Sequence, residues 1–389
     1  MKKIICFGLV SMLLFVQIPC HAKPKVQGRQ PTIHAQAACV MDASTYRILW
    51  GKNEEKCMPM ASTTKILTCI LALEKGRLED YVSFSHYATT MPKVHLGAKE
   101  GECYRLGDLL YAMMLESYND VAVAIAEHLA GSVENFQIWM NQKAHRLCGR
   151  KLHFVTPNGL DAQGHAITAK NLAKLMAYCT CFSPKKNEFL AITGCKTHTF
   201  KDKSQKRIVC VHNHNRLLGN GFVRSGKTGF TNKAGYCYVA YMQIHEHPIC
   251  VALLADGWPP NSNWKWRDMN ELTRYLEQYG RRERLDFSNI KKPNYFIENQ
   301  KILYSVGDGE LQTTFLYSWE TLRYCIFFQK KKEFPLQKGE RIGEGRAYIN
   351  DICIARADLL CNKTYERITF LKVIKHYFNM FISICIKTR

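Results

Sequence analysis

The hydrophobic period of this chain changes repeatedly along its length, and the order of those changes is what most limits its folds. Residues 38–41 and 46–50 alternate as two strands about the turn Asp42-Ala43-Ser44-Thr45. Residues 62–75, 107–116, 120–130, 133–148 and 168–181 then repeat apolar positions at helical spacing. Strand-like runs return at 207–211, 222–225, 235–244 and 249–255, and 267–279 is helical again. A block of helices bracketed by two sets of strands reads as an α/β domain. Beyond a basic segment at 281–292 the apolar runs are short and alternating, at 295–297, 313–317, 324–328 and 347–354. They predict a small β domain.

The two ends differ from this body. Lys2 and Lys3, an apolar run over 4–18 and the small residues around Cys20-His21-Ala22 predict a secretory signal over 1–22, too short to be a membrane span. At the other end Phe370, Leu371, Ile374, Phe378, Phe381 and Cys385 recur at helical spacing, beside a polar stripe containing Lys372, Lys375, Asn379 and Lys387. A basic amphipathic helix of this kind reads as one lying in a membrane interface, the alternative being a helix docked on the β domain; the charge-free stretch 377–386 is too short to cross. The expected organisation is a signal (1–22), a catalytic domain (23–285), a small β domain (286–362) and an amphipathic tail (363–389). The formal charge of +21 suits an anionic membrane surface or wall polymer, and export argues against nucleic acid as a partner. Of the 17 cysteines, Cys6 and Cys20 fall in the signal, which leaves an odd number with no C-x-x-C pair. Most read as small buried apolar residues.

Three short stretches carry chemistry. In M-P-M-A-S-T-T-K-I-L, Lys65 follows Ser62 by three residues and shares its helix face. A serine hydroxyl attacks a carbonyl only if a base takes its proton. An amine serves as that base only if burial or a second cation lowers its pKa. Alone, the pair is a common match and reads as a helix cap. Ser117-Tyr118-Asn119 puts a hydroxyl and a carboxamide at a helix junction, and alone it reads as a capping pair. Lys227-Thr228-Gly229, in V-R-S-G-K-T-G-F-T, has the wrong glycine spacing for a phosphate loop and precedes a strand. There Lys227 supplies the second cation, and Gly229 leaves room for a substrate backbone against the strand edge. His212-x-His214 and His245-Glu246-His247 show metal-like spacing without a third ligand at a telling distance.

In the order S-x-x-K, S-x-N, K-T-G, the chain resembles the serine penicillin-recognising enzymes. With V-M-D-A-S-T-Y-R-I-L-W-G-K-N and H-F-V-T-P-N-G-L-D-A-Q-G-H added, residues 35–279 resemble the D-alanyl-D-alanine carboxypeptidases, low-molecular-mass penicillin-binding proteins of the S11 peptidase family. The resemblance implies an antiparallel sheet flanked by helices, with a helical subdomain. It implies a serine carboxypeptidase that trims the terminal D-alanine from peptidoglycan stem pentapeptides and is inhibited by β-lactams, without metal or cofactor. Ser62 would be the acylated nucleophile and Lys65 its base. Ser117 and Asn119 would relay protons and hold the substrate amide. Lys227 and Thr228 would bind the terminal carboxylate beside Gly229, and the N–H groups of Ser62 and Phe230 would form the oxyanion hole.

Two positions depart from the family pattern. Tyr118 replaces a smaller residue and would narrow the cleft or alter the leaving-group pocket. Trp258 stands where relatives carry a carboxylate-anchoring arginine, leaving Arg267 or Arg224 as substitutes. A β-lactamase would need a carboxylate in an E-x-x-L-N context, which neither Glu134 nor Glu188 supplies. A wall-binding protein without turnover is the remaining alternative.

Overall fold

Five strands form the central antiparallel sheet of the computed structural model: β1 (Ala37–Asp42), β2 (Ile48–Lys52), β3 (Val223–Thr231), β4 (Gly235–Ile244) and β5 (His247–Leu254). Their order is β3-β4-β5-β1-β2, so the amino-terminal hairpin joins the far end of the later meander. The structure describes residues 29–149, 152–288, 290–309, 311–329 and 333–367, with 369, 374 and 378. The signal expected at 1–22 and most of the expected tail helix lie outside the described residues; of that helix, Ile374 and Phe378 are described, and both are exposed. No described helix is long and apolar enough to cross a membrane.

Both faces of the sheet are covered, which is why all six residues of β1 are buried. Cys39 and Met41 of β1 point into a core shared with α1 (Lys65–Lys75), α2 (Leu106–Leu115), α3 (Asn119–Ala130), α4 (Val133–Cys148) and α5 (Ala169–Ala177). Ala38 and Val40 alternate to the other face, where Met269, Leu272 and Leu276 of α6 (Trp264–Tyr279) pack. The β3 edge is left open on its outer side and meets the turn that leads into α1.

The structure corrects three expectations about elements. The helix expected from Ser62 begins as a 3₁₀ turn, Ala61–Thr64, and no Ser62 cap bond forms. The short strand expected at 222–225 runs on to Thr231 and carries K-T-G within it. The run at 207–211 becomes Ile208–His212, paired with Thr197–Lys201 outside the central sheet. All 14 described cysteines are free; six of them are buried.

The carboxyl-terminal strands Tyr304–Val306, Leu322–Phe328, Arg341–Ile349 and Ile352–Cys361 form a second antiparallel sheet. Thr313–Tyr317 does not join it. It pairs with Gly280–Arg284 and packs Phe315 and Tyr317 against α6. Asp42, at the end of β1, explains this: its Oδ2 accepts bonds from the Thr314 hydroxyl (3.1 Å) and the Phe315 amide (3.2 Å). Its neighbour Arg47 is buried against Glu320 at 2.5 Å and also donates to the Phe315 carbonyl. Removing one partner of a buried ion pair leaves an uncompensated charge. Arg47→Ala is therefore expected to destabilise the protein by about 3 kcal/mol or more, read from the denaturant midpoint of the purified chain.

Candidate active site

Ala61 enters the 3₁₀ turn with φ +47°, a left-handed conformation that presents Ser62 at the floor of a cleft. The side chain of Lys65 then points back under the turn and is fully buried. Its Nζ lies 2.8 Å from Ser62 Oγ, 2.9 Å from Asn119 Oδ1 and 2.5 Å from the Asn158 carbonyl oxygen. Burial holds its pKa well below the ordinary 10.5; the nearby Lys227 lowers it further, and Asp120 opposes. Lys227 is itself buried, which pushes it down to about 7 against the opposing charge of Glu116. Of the two amines, Lys65 has both burial and a neighbouring cation acting against its proton, so it is the one poised to serve as a base.

The edge strand β3 faces this turn in a defined orientation. Tyr236, opposite Phe230, donates its amide to Gly257 (2.9 Å) and accepts from the Asp256 amide (2.7 Å). Both of its backbone groups thus point away from β3, so Phe230 and Tyr236 are a non-hydrogen-bonded pair. The Phe230 amide is consequently directed to the open edge, and by the two-residue period so is that of Thr228. The Thr228 carbonyl accepts from Lys227 Nζ at 3.0 Å.

Gly229 has a different reason from the one the sequence suggests. A Cβ there would sit 2.8 Å from the Ser62 nitrogen and 3.1 Å from the Ala61 Cβ. The glycine admits the Ser62 turn against the strand. Gly159, at φ +86°, does the same from the opposite side, where a Cβ would fall 2.1 Å from the Ala61 carbonyl oxygen.

Ser62, Ser117, Asn119, Thr228, Gly229 and Phe230 line one cleft of about 490 Å³, with Lys65 and Lys227 buried behind it. Residues 24–256 match the family model described as D-alanyl-D-alanine carboxypeptidase, peptidase S11. The chain belongs to the S11 peptidase family. It is similar to D-alanyl-D-alanine carboxypeptidase DacF of Bacillus subtilis, at 29% identity over 96% of this chain and 97% of that one. Its fold resembles penicillin binding protein 5 of Haemophilus influenzae, with TM-score 0.71, 22% identity and 88% and 100% of the two chains covered. It also resembles penicillin-binding protein D2 of Listeria monocytogenes in a cefotaxime-bound form, with TM-score 0.55, 26% identity and 64% and 98% covered. As an S11 peptidase the chain is a hydrolase of the D-alanyl-D-alanine carboxypeptidase class.

Several features of this S11 site are not visible in the sequence pattern. Asn158 stands in the H-F-V-T-P-N-G-L-D-A-Q-G-H stretch without an assigned role, yet its carbonyl receives Lys65 and lies 3.4 Å from Ser62 Oγ. Neither Arg267 nor Arg224 lines the cleft, and Trp258 bonds the Asn232 carbonyl at 2.8 Å. The basic groups on the wall are Lys93, Arg216 and Lys265. Lys265 donates to the Ser262 carbonyl and lies 4.4 Å from the Tyr236 ring, with its pKa lowered by burial. Its setting in W-K-W is the available signal. Tyr118 does not narrow the cleft; it packs against the main core, and Ser117 is presented at φ +70°. His212 and His214 both flank Glu116, with His214 Nε2 at 2.7 Å and His212 Nδ1 at 3.7 Å from its oxygens.

Because Gly229 carries no slack, Gly229→Ala is expected to push the strand and the Ser62 turn apart. Overpacking costs about 1–3 kcal/mol. Acylation by a fluorescent penicillin should fall by roughly tenfold or more, while circular dichroism shows a folded chain.

Proposed function

We propose that this peptidase removes the terminal D-alanine from peptidoglycan stem pentapeptides through an acyl-enzyme on Ser62. The observation that carries the reading is the buried Lys65 amine at 2.8 Å from the Ser62 hydroxyl, with its pKa held down. In its neutral form Lys65 takes the Ser62 proton as Oγ bonds to the scissile carbonyl carbon. The charge that develops on the carbonyl oxygen falls to the amides of Ser62 and Phe230, each such donor contributing about 3 kcal/mol. The proton passes through Ser117 to the departing D-alanine nitrogen as the C–N bond breaks. Asn119 holds the substrate amide, and water then cleaves the ester and restores the serine.

An extended substrate fits the outward amides of Thr228 and Phe230 as an added strand. The terminal carboxylate is met by Lys227 and Thr228, and Lys265 supplies the further cation that the sequence leaves unassigned. Only one carboxylate, that of Glu116, is among the described residues lining the cleft, and both its oxygens face the two histidines or the His212 amide. This favours slow release of a β-lactam adduct over β-lactamase turnover. The convergence of every motif side chain argues against a wall-binding protein without activity. Inhibition by β-lactams is supported by the cefotaxime-bound Listeria protein of similar fold. We place the enzyme outside the cytoplasmic membrane, held at an anionic lipid surface by the basic amphipathic tail.

The purified chain incubated with a stem pentapeptide should yield the tetrapeptide and free D-alanine by mass spectrometry, and Ser62→Ala should yield neither. Persistent turnover or penicillin labelling of Ser62→Ala would remove that residue from the mechanism. Loss of one charge-assisted contact costs about 1.5–3 kcal/mol. Lys265→Gln should therefore raise KM for the pentapeptide by roughly ten- to hundredfold with a smaller change in kcat. The acylation rate should rise with pH as Lys65 loses its proton, at a pH well below 10.5. Lys227→Met removes a cation that favours the neutral amine, so the rising limb should move to higher pH in a stopped-flow pH profile.

A further inference from the structure

Ala61, the left-handed residue that sets Ser62 in place, is reached by a hydrogen-bond chain that starts at a histidine outside the cleft lining. The Val155 amide donates to His165 Nδ1 at 2.9 Å, and the Thr156 amide approaches the same nitrogen at 3.4 Å. Nδ1 is therefore the acceptor, and in the neutral ring the proton is on Nε2. Nε2 lies 2.9 Å from Thr64 Oγ1, and that hydroxyl donates to the Ala61 carbonyl at 2.8 Å. The direction of every bond is thus fixed: Val155 N–H to His165, His165 Nε2–H to Thr64, Thr64 O–H to Ala61. Thr64 is fully buried and His165 nearly so, and burial favours the uncharged ring, with its pKa lowered to about 4. The ring is further held by an edge contact with Phe154 at 5.9 Å. On its other side the Ala61 carbonyl lies against Gly159.

We infer that His165 and Thr64 are positioning residues for acylation: their chain holds the Ala61 carbonyl, and through it the Ser62 hydroxyl and amide, in the attacking geometry. The inference rests on the acyl-enzyme reading. A non-Gly residue at positive φ persists only where its surroundings hold it. Here the groups against it are the Thr64 hydroxyl on its carbonyl and the two glycines, Gly159 and Gly229, that admit the turn on either side. Without the hydroxyl bond the turn relaxes, and Ser62 moves relative to both Lys65 and the Phe230 amide. Neither His165 nor Thr64 lines the cleft, so ligand affinity should not report their loss.

The test measures the first-order acylation rate constant and the dissociation constant of the preceding encounter separately, with a fluorescent penicillin on the full chain and with melting temperature measured in parallel. Thr64→Val keeps the shape and removes the hydroxyl; Thr64→Ser keeps the hydroxyl. His165→Leu removes the donor; His165→Gln restores an N–H near the Nε2 position. A displacement approaching 1 Å costs up to roughly a hundredfold. Thr64→Val and His165→Leu should each lower the acylation rate constant by about ten- to hundredfold at unchanged dissociation constant, with Thr64→Ser and His165→Gln recovering most of it. The double variant should lose no more than the worse single one. Wild-type acylation by folded Thr64→Val, or additive losses in the double variant, would overturn the relay. Should Thr64→Val fail to fold, His165→Leu against His165→Gln decides, equal rates counting against the proposal. Ser62→Ala runs alongside: its labelling would sink the acyl-enzyme reading itself, whereas normal rates in the relay variants beside an unlabelled Ser62→Ala would sink only the relay.

Discussion

One buried amine organises this molecule. Removing an ammonium or amine from water is costly unless its hydrogen-bonding capacity is met inside. Lys65 meets it with three oxygen partners from three separate parts of the chain: its own helical turn, the start of α3, and the loop at Asn158. The helix cannot bury Lys65 unless α3 and the 157–159 loop dock on it. The Pro157 carbonyl repeats the link by accepting from Thr68, one turn along α1, at 2.6 Å. Local geometry at Ser62 is thus a consequence of long-range packing, and the same packing lowers the pKa of Lys65.

The close approaches around the turn follow from that demand. Ala61 takes a left-handed conformation, and the two backbone segments on either side of it are glycine at the point of contact, Gly159 and Gly229. Each glycine lets main chain touch main chain. On the β3 side this brings the Ser62 turn level with the outward amides of the edge strand. A sheet edge is ordinarily a liability because its unpaired groups invite other chains. Here the edge is met by the Ser62 turn and opens on the cleft, which suits the extended peptide we propose as substrate.

How much of this is legible in the sequence depends on sequence separation. The three motif stretches are readable because each is local, and a serine, a lysine and a glycine at those spacings have few other joint explanations. The α/β order is readable because period 2 and period 3.6 survive in long runs. Asn158 is not, because it acts through a backbone carbonyl that any residue possesses. Lys265, to which we assign the further cation, is not, because the family pattern points to an arginine near Trp258 while this cleft lysine lies in the first turn of α6. The freedom of Gly229 reads as room for a substrate, when it is used by residues 61–63, far away in sequence. Thr313–Tyr317 alternates like its successors, and the partners that direct it to the first core, the buried Asp42 carboxylate and Arg47, are distant in sequence, Asp42 lying 272 and 273 residues from Thr314 and Phe315.

The placement of acidic groups bears on what the cleft does after acylation. An ester on Ser62 is released quickly only if water is activated beside it. In the described cleft lining Glu116 is the sole carboxylate, and its oxygens accept from the His212 amide at 2.8 Å and face His214 at 2.7 Å. Asp161, the nearest acidic residue along the Asn158 loop, is engaged by Thr231 at 2.9 Å. Glu116 is thus engaged through both oxygens, and Asp161 lies outside the cleft lining. On the proposed mechanism, water activation falls to the Lys65 and Ser117 pair assigned to the forward step, run in reverse. A peptide substrate loses its leaving D-alanine and opens that route. A β-lactam keeps its leaving group tethered by a ring, so in the proposed site its amine would stay beside Ser117 and obstruct the approach. The mechanism we propose therefore lets the same amine-centred site turn over a peptide and be held by a penicillin without any additional residue distinguishing them.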